Sequence, residues 1–293
     1  MSKEKAFGKH SGHVFGYFRK AKGFTLKEAV GDIAFPSQLS NFEHGKICPS
    51  ADNFLLFLQN INVSTLEFQY ALDEYLQRKN ITEFGTPLTD SYLAQNISQL
   101  KIFQKNAEKR YVSNPDNKHF RLDKIHIEGV LSIVDTKYEL SKEDKRFLYT
   151  YLINLKEWGL YDISLLGACV TNLGTSELSK LLISMISSAQ IGTKIKYVKK
   201  AMLQTLLNGL DVFIGQRLLN LTIPIVLYLE ENIHEYDMYE KTIFIYDKAK
   251  IDYFSGNPAA LEIMKECQAI FEFCECFSSA DIVAKEIDEL VNS

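Results

Sequence analysis

Apolar side chains in this chain recur three and four residues apart almost from end to end, and no stretch alternates convincingly with a period of two. Such spacing gives each segment one apolar stripe along a helix and leaves no half-buried strand from which to build a sheet. From Leu140 to Trp158, for example, Phe147, Leu148, Tyr151, Leu152 and Leu155 share one face. Segments near 174–188, 194–219, 239–254 and 257–273 repeat the pattern, with only six prolines in 293 residues. The expectation is an all-α fold. Thr25 to Glu28 and Ser64 to Glu67 both fit the S/T-x-x-E capping box, in which side chains satisfy the orphan amides of a first helical turn.

The length exceeds the usual single-domain size, and an apolar fraction of 46% supplies ample core material. The helical pattern breaks between Phe68 and Thr89, at the polar patch Gln77 to Asn80 and the turn signal Gly85-Thr86-Pro87. This predicts a domain over residues 1–69, a linker helix or loop over 70–88, and a long body over 89–293. About ten helices joined by short loops describe the body as an α-solenoid of helical hairpins, without a strict 34-residue consensus. Charge divides at the same place. Residues 1–69 carry eight Lys and Arg against six Asp and Glu, and the remainder carries 25 against 31. A basic head on an acidic body suits a nucleic-acid reader whose body stays away from phosphates.

In the head, one helix carries Val14, Tyr17 and Phe18 and ends near Gly23, a second starts at Thr25, and a third runs from Phe35 to Gly45. Pro36 suits the first helical position and Gly45 a left-handed stop. Leu39 and Phe42 then face the core, leaving Ser37, Gln38 and Asn41 outward near the N-terminal end, with Ser40 and Thr25 beside them. Gln and Asn can pair bidentately with adenine, and the N-terminal part of a recognition helix is what enters the major groove. Lys20, Lys22, Lys27 and Lys46 are candidates for phosphate contacts.

The runs KGFTLKEAVGD (22–32), SQLSNFEHG (37–45) and NFLLFLQNINVSTLEF (53–68) resemble the Xre-type, lambda-repressor-like helix-turn-helix of the Rgg/GadR/MutR regulators. Further matches are YLINLKEWGLYDISLLG (151–167), LLNGLD (206–211) and KIDYFSG (250–256), so the resemblance covers nearly the whole chain. It implies a homodimeric transcription regulator with a tetratricopeptide-like body that binds a short signalling peptide on its concave face, with promoter DNA and RNA polymerase as further partners. It also implies a salt bridge between Arg19 and Glu43, tying the first helix to the recognition helix. Two departures stand out: Asn41 and His44 replace the family's usual arginines, which implies weaker phosphate affinity and an altered operator. Ala168 also stands where the family has an Asn.

A peptide in a solenoid groove exposes amides that need partners, and Asn supplies a donor and an acceptor together. Asn208 lies on an otherwise apolar helix with Gln204 and Asp211 four and three residues away, making a polar stripe. Tyr151, Asn154 and Tyr228 are further candidates for peptide contact, against the alternative of core tyrosines with satisfied hydroxyls. His10, His13 and His44 bring a residue type that titrates near neutrality into the head, and Cys48 could bridge two heads. His119 and His126, seven residues apart, read as packing or solvent contacts. Cys267, Cys274 and Cys276 lack the fourth ligand of a zinc site, so neither metal nor cofactor is expected. There is no G-x-S-x-G, Walker loop or H-E-x-x-H, which argues against an enzyme. The N-terminus lacks a secretory apolar stretch, and the longest apolar run, near Leu221 to Leu229, is too short to span a bilayer, so a cytoplasmic location without membrane contact is expected. A protein-interaction module with a weakened head remains the competing reading.

Overall fold

The computed structural model describes residues 3–76, 88, 91–92, 94–188 and 194–292, all of it helix, turn and loop. Two compact units divide after Pro87. The polar patch at 77–80 and the turn signal at 85–87 lie outside the described residues.

The first unit contains α1 (Lys3–Ala21), α2 (Leu26–Val30), α3 (Pro36–Glu43), α4 (Ala51–Asn60) and α5 (Thr65–Tyr75). α5 runs straight through position 69 and buries Leu72 in the core of the head, which therefore reaches further than the break expected there. Both expected capping boxes form: Thr25 and Ser64 each accept from the backbone amide three residues on, and Glu28 and Glu67 reach back. Pro36 opens α3, and Gly45 follows it at φ 69. Phe15, Leu39, Phe42, Phe57 and Phe68 fill the core. Tyr17, placed on the first helix beside Val14 and Phe18, is instead 67% exposed; the residue that turns inward is Phe15.

The second unit continues with α6 (Ile97–Ser113), α7 (Lys118–Val134), α8 (Lys142–Ile153), α9 (Leu160–Cys169), α10 (Thr175–Ser188), α11 (Lys196–Gly215), α12 (Ile223–Asn232), α13 (Met238–Phe254), α14 (Ala260–Phe273) and α15 (Phe277–Val291). Between α7 and α13, helices pack mainly on their alternate neighbours. α7, α9, α11 and α13 touch in succession as one row, and α8, α10 and α12 form a second. This is the two-layered stacking of an α-solenoid. Trp158, Leu166, Leu206, Phe213 and Phe244 lie in the core shared by the rows.

Glycines let the first row close up. A methyl group on Gly129 of α7 would stand 2.5 Å from the sulfur of Cys169, and one on Gly167 of α9 would stand 2.7 Å from the hydroxyl of Thr205 on α11. Both are well inside van der Waals contact, so only glycine admits the observed helix approach.

Candidate functional site

The candidate reading surface is built on α3. Leu39 and Phe42 are fully buried and fix the helix against the head, while Ser37 and Gln38 are exposed and Ser40 and Asn41 are half-buried. α1 holds the other end of α3. The Arg19 guanidinium donates through Nη2 to Glu43 Oε2 at 2.8 Å, and through Nη1 to the Phe24 carbonyl at 2.7 Å. Both side chains of the pair are about nine-tenths buried. Gly12 and Gly16 admit the contact: a methyl group on Gly12 would sit 1.9 Å from the carbonyl oxygen of Phe42, and one on Gly16 would be 3.2 Å from Glu43. The sequence reading missed these two glycines, although their four-residue spacing on a helix was a visible sign of a close helix contact.

Several polar groups of the head are already engaged. The Thr25 hydroxyl donates to Glu28 Oε2 at 2.7 Å, which leaves it a capping group. Lys22 donates to the Asn62 carbonyl, so its ammonium ties the end of α1 to the turn before α5. Lys20, Lys27 and Lys46 are exposed and form no ion pair among the described residues. His44, where the resemblance expects a cation, folds back with Nδ1 2.7 Å from the Ser40 carbonyl. His10 and His13 both stack on Tyr75 of α5 at 5.5 Å between ring centroids. Cys48 is exposed.

The N-cap of α3 is unusual. Phe35 holds that position with an extended backbone and offers no oxygen to the first-turn amides, and its ring is 74% exposed. Only the other half of a capping box is present: the Phe35 amide donates to Gln38 Oε1 at 3.1 Å. Relative to Ser or Asp, a non-polar cap costs about 1 kcal/mol.

In the body, the stripe predicted on α11 faces α13. Gln204 donates to Glu240 Oε1 at 3.0 Å, and Asp211 accepts from Lys250 Nζ at 2.8 Å. Between them Asn208 is exposed, and its side chain makes no hydrogen bond among the described residues. The other three candidates belong to the second row and are occupied. Tyr151 donates to Asp162 at 2.6 Å, Asn154 donates to the Thr150 carbonyl at 2.7 Å as part of the α8 terminus, and the Tyr228 hydroxyl lies 3.7 Å from the sulfur of Met202. No described bond joins Tyr151 or Asn154 to the α11 stripe. Ala168 is buried with its carbonyl against Gly129, in the close contact of α7 and α9.

Among the described residues, two buried polar atoms lack partners, Nδ1 of His126 and Oδ2 of Asp247. Burial holds His126 neutral, its pKa lowered to about 4. Burial likewise pushes the Asp247 carboxyl well above the ordinary carboxylate range, against the pull of Lys250. For Lys250, burial favours the neutral amine, but Asp211, Asp247 and Glu286 overcome it and keep the ammonium charged. None of this was legible before folding, because Lys250 and Glu286 are 36 residues apart. The fold also forms a cleft of about 430 Å³ between α12 and α13, walled by Ile223, Val226, Leu227 and Ile251. Among the described residues, no three His, Cys, Asp or Glu are placed to hold a metal ion, and no helix is long and apolar enough to cross a membrane.

A capped helix-turn-helix unit followed by a two-rowed helical solenoid defines the class of all-helical transcription regulators. Residues 101–285 match the family described as HTH-type transcriptional regulator Rgg, C-terminal domain, and the chain belongs to that family. Among solved structures it is similar to the SHP pheromone receptor Rgg2 of Streptococcus dysgalactiae, at 21% identity over 95% of this chain and 99% of that one, with a TM-score of 0.78. It is also similar to PrgX in its complex with cCF10, at 13% identity over 97% and 92% of the chains and a TM-score of 0.71. A third match, a bacterial peptide pheromone/receptor complex, has 14% identity over 96% and 97% and a TM-score of 0.69. At these identities the likeness carries the fold.

Proposed function

We propose that this regulator acts as a cytoplasmic homodimer whose head reads promoter DNA through α3 and whose body is controlled by a short signalling peptide. The observation that carries the reading is Asn208: an exposed side-chain amide with no partner among the described residues, flanked on its own helix face by Gln204 and Asp211, both already paired. An extended peptide needs such a group to satisfy its backbone. Peptide binding would alter either DNA affinity or contacts with RNA polymerase, and no catalytic step is required.

In the head, Ser37, Gln38, Ser40 and Asn41 are the proposed base-edge readers, and Lys20, Lys27 and Lys46 the phosphate contacts. Thr25 contributes by fixing α2. The test is fluorescence anisotropy of the full chain on DNA upstream of its own gene, across a salt series and with candidate peptides. Selective binding with a steep salt dependence is expected. Gln38→Ala should relax one base position by about 1–3 kcal/mol, and Lys27→Ala should weaken all sequences alike and flatten the salt slope. The competing reading, a protein-interaction module with a weakened head, draws on the His44 ring, engaged by the Ser40 carbonyl, and on half-buried Asn41. Binding no better than to scrambled DNA at every salt concentration, with or without peptide, would decide for it.

A further inference from the structure

Phe35 occupies a place where the fold gains little from it. Its ring caps nothing and stays exposed, at the first turn of the helix that presents Ser37 and Gln38. A single exposed aromatic residue is ordinary on a protein surface. What sets this one apart is its bond to Gln38: the Phe35 amide holds Gln38 Oε1, so the Gln38 side chain is anchored beside the Phe35 backbone with its Nε2 donors unpaired. A glutamine anchored through its oxygen acts first as a donor, which suits the N7 of a purine, the O6 of guanine or the O4 of thymine. An apolar ring in the major groove has one base-edge partner, the 5-methyl group of thymine.

We propose that Phe35 and Gln38 act as one specificity unit, in which the Phe35 ring packs on a thymine methyl while Gln38 Nε2 donates to an acceptor on the neighbouring base. The inference rests on the DNA-reading role of α3 proposed above. It replaces the bidentate adenine contact expected of Gln38 with a donor contact next to a thymine.

Sites enriched by the full-length protein from a random duplex library provide the probe, and each thymine of the enriched site is then exchanged for deoxyuridine, which removes only the methyl group. One exchange should weaken the wild type about four-fold, the effect of losing one buried methyl-sized group. The Phe35→Ser variant restores a polar cap and so keeps α3 formed; it should bind the thymine and deoxyuridine sites equally. The proposal is overturned if no exchange matters to the wild type, or if Phe35→Ser keeps the methyl preference. It is equally overturned if Phe35→Ser shifts the protein to monomer in sedimentation, since the ring would then seat on a second copy of the chain. Absence of any enriched site would overturn the DNA-reading role itself, a result distinct from an enriched site that ignores the methyl.

Discussion

The head and the body bury different chemistry. The head packs aromatic rings edge to face, Phe15 on Phe57 and Phe42 on Phe54, and among its described residues the buried charged side chains are Arg19, Glu43 and Asp73. The body has a mainly aliphatic core but buries Asp123, Lys124, His126, Glu128, Asp144, Glu240, Asp247 and Lys250 along its helix seams. Buried ionic seams lie close to break-even against apolar ones, whereas removing a single member leaves an expensive unpaired group. The head therefore concentrates this cost in the ion pair between α1 and α3, whereas the body spreads it over several helix seams.

The sharpest way to break the contrast is at the ion pair of the head. Glu43→Ala leaves Arg19 buried without its carboxylate and should destabilise the head by about 3–5 kcal/mol. Hydrogen exchange resolved along the chain should show lost protection in α1 and α3 with α7 to α13 unchanged; equal loss in both units would refute the division.

For the body, the corresponding test is acid. The folded pKa of His126 is depressed to about 4, so the unfolded chain binds the extra proton first as pH falls. Stability is full above about pH 6.5 and declines towards pH 4, by up to about 3 kcal/mol from this group. His126→Leu should flatten that part of the pH–stability curve; an unaltered curve would show that the imidazole is not held neutral. Asp247 has the opposite sign. Its carboxyl pKa is raised, so its contribution is present at low pH and fades as pH rises from the ordinary carboxylate range towards the raised value. Asp247→Asn should remove that loss, as read from denaturant midpoints at several pH values.

Gly12→Ala should have a smaller effect, about 1–3 kcal/mol, because the added methyl meets the Phe42 carbonyl and α1 must move. Thermal unfolding would register it, and a variant as stable as the wild type would mean that the helices separate without strain. Smallest in stability and largest in function is Asn208→Ala. As an exposed, unbonded side chain it should change stability by less than about 0.5 kcal/mol, yet abolish the response of DNA binding to peptide. An intact response would remove Asn208 from the site.

The helical class and the local signals of the head followed from short-range rules. Thr25, Ser64, Pro36 and Gly45 act within one helical turn, so their roles are decided by neighbours in sequence. The inward turn of Leu39 and Phe42 likewise follows from spacing. Tertiary structure decided which polar groups stay free. Gln204, Asn208 and Asp211 look alike on a helical projection, but Glu240 and Lys250 on α13 occupy the first and last and leave the middle one open. The lowered pKa of His126 and the raised pKa of Asp247 also depend on burial by helices distant in sequence. Periodicity gives the direction in which a side chain leaves its own helix. Partner, charge state and exposure depend on what the neighbouring helices bring to meet it.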